Sequence, residues 1–393
     1  MIKIFPIYVY NLMILAVFIS YFKFSSFNWV LKDVGVGLFL IYFFTKIKPV
    51  KLEFPSRGFV MMYIIMILLI ASHFIVYGFN LVALISIRFL FVYLLLILAG
   101  FNLGKYFTEK NMFYLIYIIY WFITIIGVIE IISPDFVRGY SVGDDIYRLY
   151  RSGQGYGLGS IFGDRVIFGF VLTYFLVIGH VFIKSKNKLL LFQALVFSLV
   201  VLTLSKTAIF TSAIIIAIDV INYLKSSKKE SNILVKLIFI LFLFLVILFF
   251  TFEAQNIIEP LMSSINSANF TTLSGRTDSW SRLDFSLLPN FYYIGSSSLL
   301  DINAEVVVDN AFLRIVTNFG ALIIIPIVII VFELLRNWRN INEILKYTFL
   351  IILLYSVTVD FYHIVIVVVP MWFSIGFYMY TLKNNKKKKR MTN

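Results

Sequence analysis

The sequence predicts an all-α polytopic membrane protein, and the evidence is its composition and the length of its apolar runs. The chain has 393 residues, of which 61% are hydrophobic and 14% are charged. Apolar runs of about 20 residues recur along the chain, and each can cross a hydrocarbon core of about 30 Å as a helix. The short alternating segments typical of closed barrels do not occur. Residues 1–393 are therefore predicted to form a single integral membrane domain.

About twelve transmembrane helices are predicted. They cover residues 5–22, 28–44, 58–77, 81–99, 113–132, 164–183, 189–204, 207–224, 237–254, 311–335, 346–359 and 364–382. The eleventh is short, so the last two are alternatively a re-entrant pair. The first helix is expected to be retained, because it does not end at a small-residue cleavage site.

Basic residues are divided unequally between the loops on the two sides of the predicted membrane. One set of loops contains most of the lysines, in the segments Lys46–Lys51, Lys105–Lys110, Lys184–Lys188, Lys225–Lys236 and Arg336–Lys346. The positive-inside rule places this set in the cytoplasm, together with both termini. The basic tail, residues 383–393, follows the last span and is expected to bind anionic lipid. This bias accounts for the net charge of +14 without a nucleic-acid partner.

Two long loops lie on the predicted extracytoplasmic side, at residues 133–165 and 253–314. Neither contains lysine, and their arginines are Arg138, Arg148, Arg151, Arg165, Arg276, Arg282 and Arg314. The planar guanidinium of arginine can bind phosphate or carboxylate through two parallel hydrogen bonds, whereas lysine is a strongly hydrated point charge. Long loops are more often functional than incidental. We therefore predict that these loops bind an anionic group.

Aromatic side chains and one further arginine extend this candidate site. Tyr150, Tyr156 and Trp280 offer flat apolar faces that suit sugar rings, and Arg88 is an intramembrane charge in the fourth span. Simpler roles stay open for all of these residues. Arginines also bind lipid phosphates or pair with nearby aspartates, and external aromatic residues also anchor helices at the membrane interface.

No metal site is predicted. The chain has no cysteine, which excludes disulfides and thiolate ligands, and the adjacent Asp144 and Asp145 have no third ligand nearby. His180 is expected to be a packed histidine, because no carboxylate lies one helical turn away. Asp219 and Glu333 are expected to be solvated near cytoplasmic helix ends.

Four short motifs follow one another along the chain. They are Arg151-Ser152-Gly153 before the sixth span, Thr203-Leu204-Ser205-Lys206 between the seventh and eighth, Ser274-Gly275-Arg276 with Trp280 in the second loop, and Asp309-Asn310-Ala311-Phe312-Leu313 at its exit. In this order and spacing they make the chain resemble the bacterial O-antigen and capsule polymerase (Wzy-type) family and the related O-antigen ligases. Asp309 stands where the ligases carry histidine, which favours a polymerase.

The resemblance implies a glycosyltransferase of the bacterial inner membrane that moves a glycan from undecaprenyl diphosphate to the sugar of another lipid-linked unit. The implied catalytic residues are Arg276 and Arg151, which would hold the departing diphosphate, and Asp309, which would orient or deprotonate the acceptor hydroxyl. The implied substrate-binding residues are Arg148, Arg282, Arg314, Tyr150, Tyr156, Trp280, Asn310 and Arg88. A chain-length regulator is a further candidate partner, and neither a metal nor a cofactor is implied.

Two other functions remain open. An O-antigen ligase would use similar arginines with a different acceptor. A transporter or flippase of the lipid-linked oligosaccharide would need acidic residues inside the membrane, broken helices near its midplane and internal repeats. The predicted spans are nearly free of acids, which counts against a transporter.

Overall fold

The computed structural model describes residues 5–22, 28–46, 52–77, 92–133, 137, 158–203, 205–226, 324–358 and 364–392. Within these ranges the secondary structure is helical and contains no strand, so the predicted all-α class is confirmed. The α-helices are α1 (Phe5–Ile19), α2 (Asn28–Lys46), α3 (Arg57–Tyr77), α4 (Tyr93–Leu103), α5 (Glu109–Ile132), α6 (Arg165–Phe182), α7 (Lys186–Leu202), α8 (Lys206–Ser226), α9 (Ile324–Arg336), α10 (Glu343–Thr358) and α11 (Val365–Thr392).

Four of these helices contain segments long and apolar enough to cross a membrane. The segments are Glu109–Ile132, Arg165–Phe182, Lys206–Tyr223 and Val365–Asn385. Large apolar side chains cover outward-facing positions, for example Leu12, Leu38 and Leu68, as expected of helices that face lipid. The count of twelve spans, the sidedness of the loops and the cytoplasmic termini stay predictions.

The chain separates into two compact units, one formed by residues 1–119 and 279–393 and the other by residues 120–278. In the first unit, α4 and α11 cross at two glycines. A Cβ atom added to Gly100 would overlap the carbonyl oxygen of Phe373, and one added to Gly376 would overlap that of Ile97. The two backbones can approach this closely only because neither position has a side chain.

In the same unit, Glu53 and Asn102 form polar contacts that hold Lys383, the first residue of the basic tail. The amide N–H of Glu53 donates to Asn102 Oδ1 at 2.9 Å, and Asn102 Nδ2 donates back to the Glu53 carbonyl at 2.8 Å. Lys383 Nζ lies 2.8 Å from Glu53 Oε2. Helix α11 continues to Thr392, well past the end of the predicted twelfth span at residue 382, so the tail prolongs the helix.

Glu333 is a second acidic residue of this unit, and the expectation that it is solvated was wrong. Only 8% of its surface is exposed, because its side chain packs over Gly58. A Cβ atom at Gly58 would lie 2.9 Å from Glu333 Oε1. Arg336 Nη1, one turn later in α9, is 4.0 Å from the same oxygen atom.

The second unit is built on a bundle of α6, α7 and α8. Helices α6 and α8 run parallel, since three pairs of facing residues share one sequence offset: Gly169 with Ala208, Thr173 with Ser212, and His180 with Asp219. Gly169 permits the close approach, because a Cβ atom there would lie 2.7 Å from Ala208 Cβ. Helix α7 runs in the opposite direction and packs against both of them. Both α6 and α8 therefore begin at the same end of the bundle.

Candidate functional site at the entry to helix α6

The residues predicted to bind and transfer the glycan all lie outside the described residues. This holds for Arg88, Arg148, Tyr150, Arg151, Tyr156, Arg276, Trp280, Arg282, Asp309, Asn310 and Arg314. The structure does describe the exit of the first long loop at residues 158–165 and the hairpin at residues 202–206, apart from Leu204. These two segments carry the parts of the candidate site whose geometry is known.

Glu130 holds the exit of the first loop. Its Oε2 atom accepts the backbone N–H of Ser160 at 2.6 Å and that of Gly159 at 3.1 Å. Only 4% of the Glu130 surface is exposed, so these bonds form where water competes little and are correspondingly strong. The carboxylate therefore joins the last turn of α5 to a segment that follows it by about 30 residues.

Ser160 adopts a backbone conformation that side chains disfavour. Its φ is +51°, in the left-handed region that costs a non-glycine residue about 1 kcal/mol or more. The Glu130 carboxylate fixes its N–H, and its own Oγ donates to the Ile123 carbonyl at 2.8 Å. Two contacts with α5 thus hold the strained residue in place.

A tight turn leads from Ser160 into α6. Gly163, with a φ of +58°, donates its N–H to the Ser160 carbonyl at 3.2 Å. Asp164 then caps the helix, because its Oδ1 accepts the N–H of Val166 at 2.7 Å. Gly159 has no room for a side chain, since an added Cβ atom would lie 2.8 Å from the backbone nitrogen of Asp164.

The hairpin between α7 and α8 packs against this turn. The N–H of Leu158 donates to the Leu202 carbonyl at 3.0 Å. Thr203 Oγ1 accepts the N–H of Ser205 at 3.2 Å and fixes the hairpin conformation. The entry to the sixth predicted span and the Thr203–Lys206 motif, which are some 40 residues apart in sequence, therefore lie side by side.

Both helices that start at this end begin with a basic residue. Arg165 is the first residue of α6 and is partly buried, and Lys206 is the first residue of α8 and is exposed. A cation at a helix N-terminus faces the positive end of the helix dipole, which favours anions instead. The same end also carries the carboxylates of Glu130 and Asp164, so its two cations are matched by two anions.

A polar cluster lies nearer the other end of the bundle. His180 Nε2 is 3.0 Å from Asp219 Oδ2, and Gln193 Nε2 donates to that same oxygen at 2.6 Å. The three side chains come from α6, α7 and α8. The expectation that Asp219 is solvated was wrong, because its side chain is only 10% exposed.

Sequence reasoning missed Glu130 and the His180–Asp219 pair. Glu130 is the only acidic residue of the predicted span 113–132. A single acid in an apolar span was the sequence feature that could have identified it. His180 was compared with residues one turn away on its own helix, whereas its partner lies on another helix. Among the described residues, no group of three or more histidines and acids is arranged to hold a metal ion.

Comparisons of the chain with protein-family models, with curated proteins and with solved structures gave no match.

Proposed function

We propose that this protein is a polymerase of lipid-linked oligosaccharide repeat units in the bacterial inner membrane. It transfers a glycan chain from undecaprenyl diphosphate to the acceptor sugar of a second lipid-linked unit during synthesis of a surface polysaccharide. Twelve spans with cytoplasmic termini would place both arginine loops, residues 133–165 and 253–314, on the extracytoplasmic side. The lipid-linked substrates would reach the loops from the outer leaflet.

One observation carries the proposal. Glu130 pins the exit of the first arginine loop to α5, and the same segment is hydrogen-bonded to the Thr203–Lys206 hairpin through Leu158 and Leu202. One of the four motifs behind the resemblance, the Thr203–Lys206 hairpin, thus packs against the exit of the first arginine loop, whereas Arg151-Ser152-Gly153 lies outside the described residues. That end also presents the exposed ammonium group of Lys206, a cation that suits an anionic substrate.

The proposed chemistry is a displacement at the anomeric carbon of the donor sugar. The acceptor hydroxyl attacks that carbon, the bond to the diphosphate oxygen breaks, and the polyprenyl diphosphate leaves with the electron pair. Arg276 and Arg151 stabilise the charge that develops on the diphosphate. Asp309 orients the acceptor hydroxyl and takes its proton. Arg148, Arg282, Arg314 and the loop aromatic residues hold the remaining parts of the two substrates.

Deleting the gene tests the proposal, with the surface glycan analysed by gel electrophoresis. A polymerase defect leaves a single repeat unit in place of a ladder. Polymer of normal length that stays on its lipid carrier indicates a ligase. An unchanged glycan contradicts both. The matching biochemical experiment incubates the purified protein in lipid nanodiscs with a lipid-linked repeat unit and looks for longer products.

A transporter of the same lipid-linked unit is the second candidate. The buried Glu130 and the largely buried Asp219 weaken the sequence-based argument that acids are rare inside the predicted membrane region. Proteoliposomes that carry a labelled lipid-linked unit in one leaflet only distinguish the two functions. Elongation without a change in leaflet supports the polymerase, and movement between leaflets without elongation supports the transporter.

A further inference from the structure

We infer that Glu130 is a positioning residue of the proposed active site, and that its carboxylate sets the path along which the first arginine loop enters α6. The inference rests on the proposed function. Gly159, which Glu130 holds, follows Arg151 by eight residues in the sequence. The position of Gly159 therefore limits the distance from α5 at which the guanidinium group of Arg151 can lie.

The surroundings of Glu130 favour a positioning role over proton transfer to a substrate. Only 4% of the Glu130 surface is exposed. Its Oε2 atom already accepts two backbone N–H groups, at 2.6 Å and 3.1 Å. A general base needs to come within hydrogen-bonding distance of the hydroxyl that it deprotonates. Glu130 is instead bonded to the backbone that it orients.

Glu130 also closes the base of the loop. It lies two residues before the end of α5 at Ile132, and it binds Gly159 and Ser160 in the described exit of the loop. The two ends of the intervening segment are therefore held together by one side chain. Joining the ends of a long loop reduces the volume that its residues can sample.

The hydrogen bond to the Ile123 carbonyl also fixes the orientation of Ser160. Ser160 Oγ donates to the Ile123 carbonyl at 2.8 Å while its N–H is bound to Glu130. Two bonds from one residue to two levels of α5 fix its orientation as well as its distance. A chain that leaves such a residue has a defined direction, whereas a single contact would act as a pivot.

Three variants separate positioning from general stability. Glu130→Gln keeps the shape but places an amide N–H donor beside two backbone donors. Glu130→Asp keeps the charge and withdraws the carboxylate by about 1.5 Å. Asp219→Asn is the matched control, because it also removes a buried charge from the same unit, in a cluster that the proposed reaction does not use.

The test measures kcat and KM for a lipid-linked repeat unit, together with the unfolding temperature of each variant. We expect Glu130→Gln to lower kcat roughly tenfold to hundredfold, because a displacement of about 1 Å in a catalytic group has an effect of that size. Glu130→Asp should recover part of the rate. Asp219→Asn should lower the unfolding temperature but leave kcat of the folded protein close to wild type.

A second readout does not depend on activity. The chain has no cysteine, so Ser152→Cys introduces a unique site for a spin label in the first loop. We expect the spectrum of the label to change when Glu130→Gln is added and to stay the same when Asp219→Asn is added. An unchanged spectrum in both backgrounds would overturn the inference.

The outcomes distinguish the two proposals. If the wild-type protein elongates no lipid-linked unit, the proposed function fails and the inference fails with it. If the wild type is active and Glu130→Gln keeps its full kcat, only the positioning role fails. Equal losses of kcat in Glu130→Gln and Asp219→Asn, in proportion to lost folded protein, would reduce Glu130 to a structural residue.

Discussion

Thr173 and Ser212 face each other across two parallel helices, with Oγ1 and Oγ 3.0 Å apart. Their sequence separation of 39 residues is repeated by Gly169 with Ala208 and by His180 with Asp219. One register therefore aligns the close approach at Gly169, a hydroxyl pair and a histidine–aspartate pair of α6 and α8. The small residues allow the helices to approach, and the polar pairs select this alignment over a slipped one.

The His180–Asp219 pair gives a prediction about stability. We expect Asp219→Ala to destabilise the protein by about 3 kcal/mol, because it leaves a buried histidine without its carboxylate. Replacing both residues with leucine should recover much of that loss. Denaturation in detergent, analysed as a double-mutant cycle, gives the coupling energy between the two positions. A coupling close to zero would show that the 3.0 Å contact does not contribute to stability.

The crossing of α4 and α11 predicts that one glycine cannot be replaced. Gly376→Ala should destabilise the fold by about 1–3 kcal/mol, since the added Cβ atom overlaps the carbonyl oxygen of Ile97 and the helices must separate. Gly37→Ala in α2 is the control, because nothing lies within 4 Å of an added Cβ atom there. That change should be neutral or slightly stabilising. Similar unfolding temperatures for the two variants would contradict the close crossing.

The left-handed backbone of Ser160 gives an unusual order of substitutions. Both Ser160→Ala and Ser160→Gly lose the hydrogen bond to the Ile123 carbonyl, but only alanine keeps the steric cost of a positive φ. We expect Ser160→Gly to be the more stable variant by about 1 kcal/mol. Thermal unfolding of the two variants measures the difference. Glycine normally destabilises a protein relative to alanine, so the expected order reverses the usual one. A Ser160→Ala variant that is more stable than Ser160→Gly would contradict the φ of +51°.

The proposed active site predicts that charge alone is insufficient at position 276. Arg276→Lys should insert and fold normally yet lose most transfer activity, since lysine cannot form the two parallel hydrogen bonds of a guanidinium group. Arg138→Lys, in the first loop and outside the proposed site, should keep its activity. Initial rates with a lipid-linked repeat unit compare the two. Full activity of Arg276→Lys would remove Arg276 from the site.

Part of the candidate site was predictable from local sequence. The Thr203–Lys206 hairpin and the entry to α6 were expected from apolar runs that end in small and polar residues, and the structure has helix boundaries there. Their contact through Leu158 and Leu202 was not predictable, because hydropathy reports the environment of each residue and not its neighbour in space. Glu130 was overlooked for the same reason, since its partners are backbone N–H groups, which every residue but proline carries.

The sequence by itself determined that this protein is built of helices and that several of them suit a membrane, because apolar length and helical hydrogen bonding are local properties. Only the tertiary structure decided which buried polar groups meet. Glu130 reaches Ser160 from the last turn of α5. His180 reaches Asp219 through the parallel register of α6 and α8, which depends on the absence of a side chain at Gly169. Such a register is a property of two packed helices, and neither helix specifies it alone.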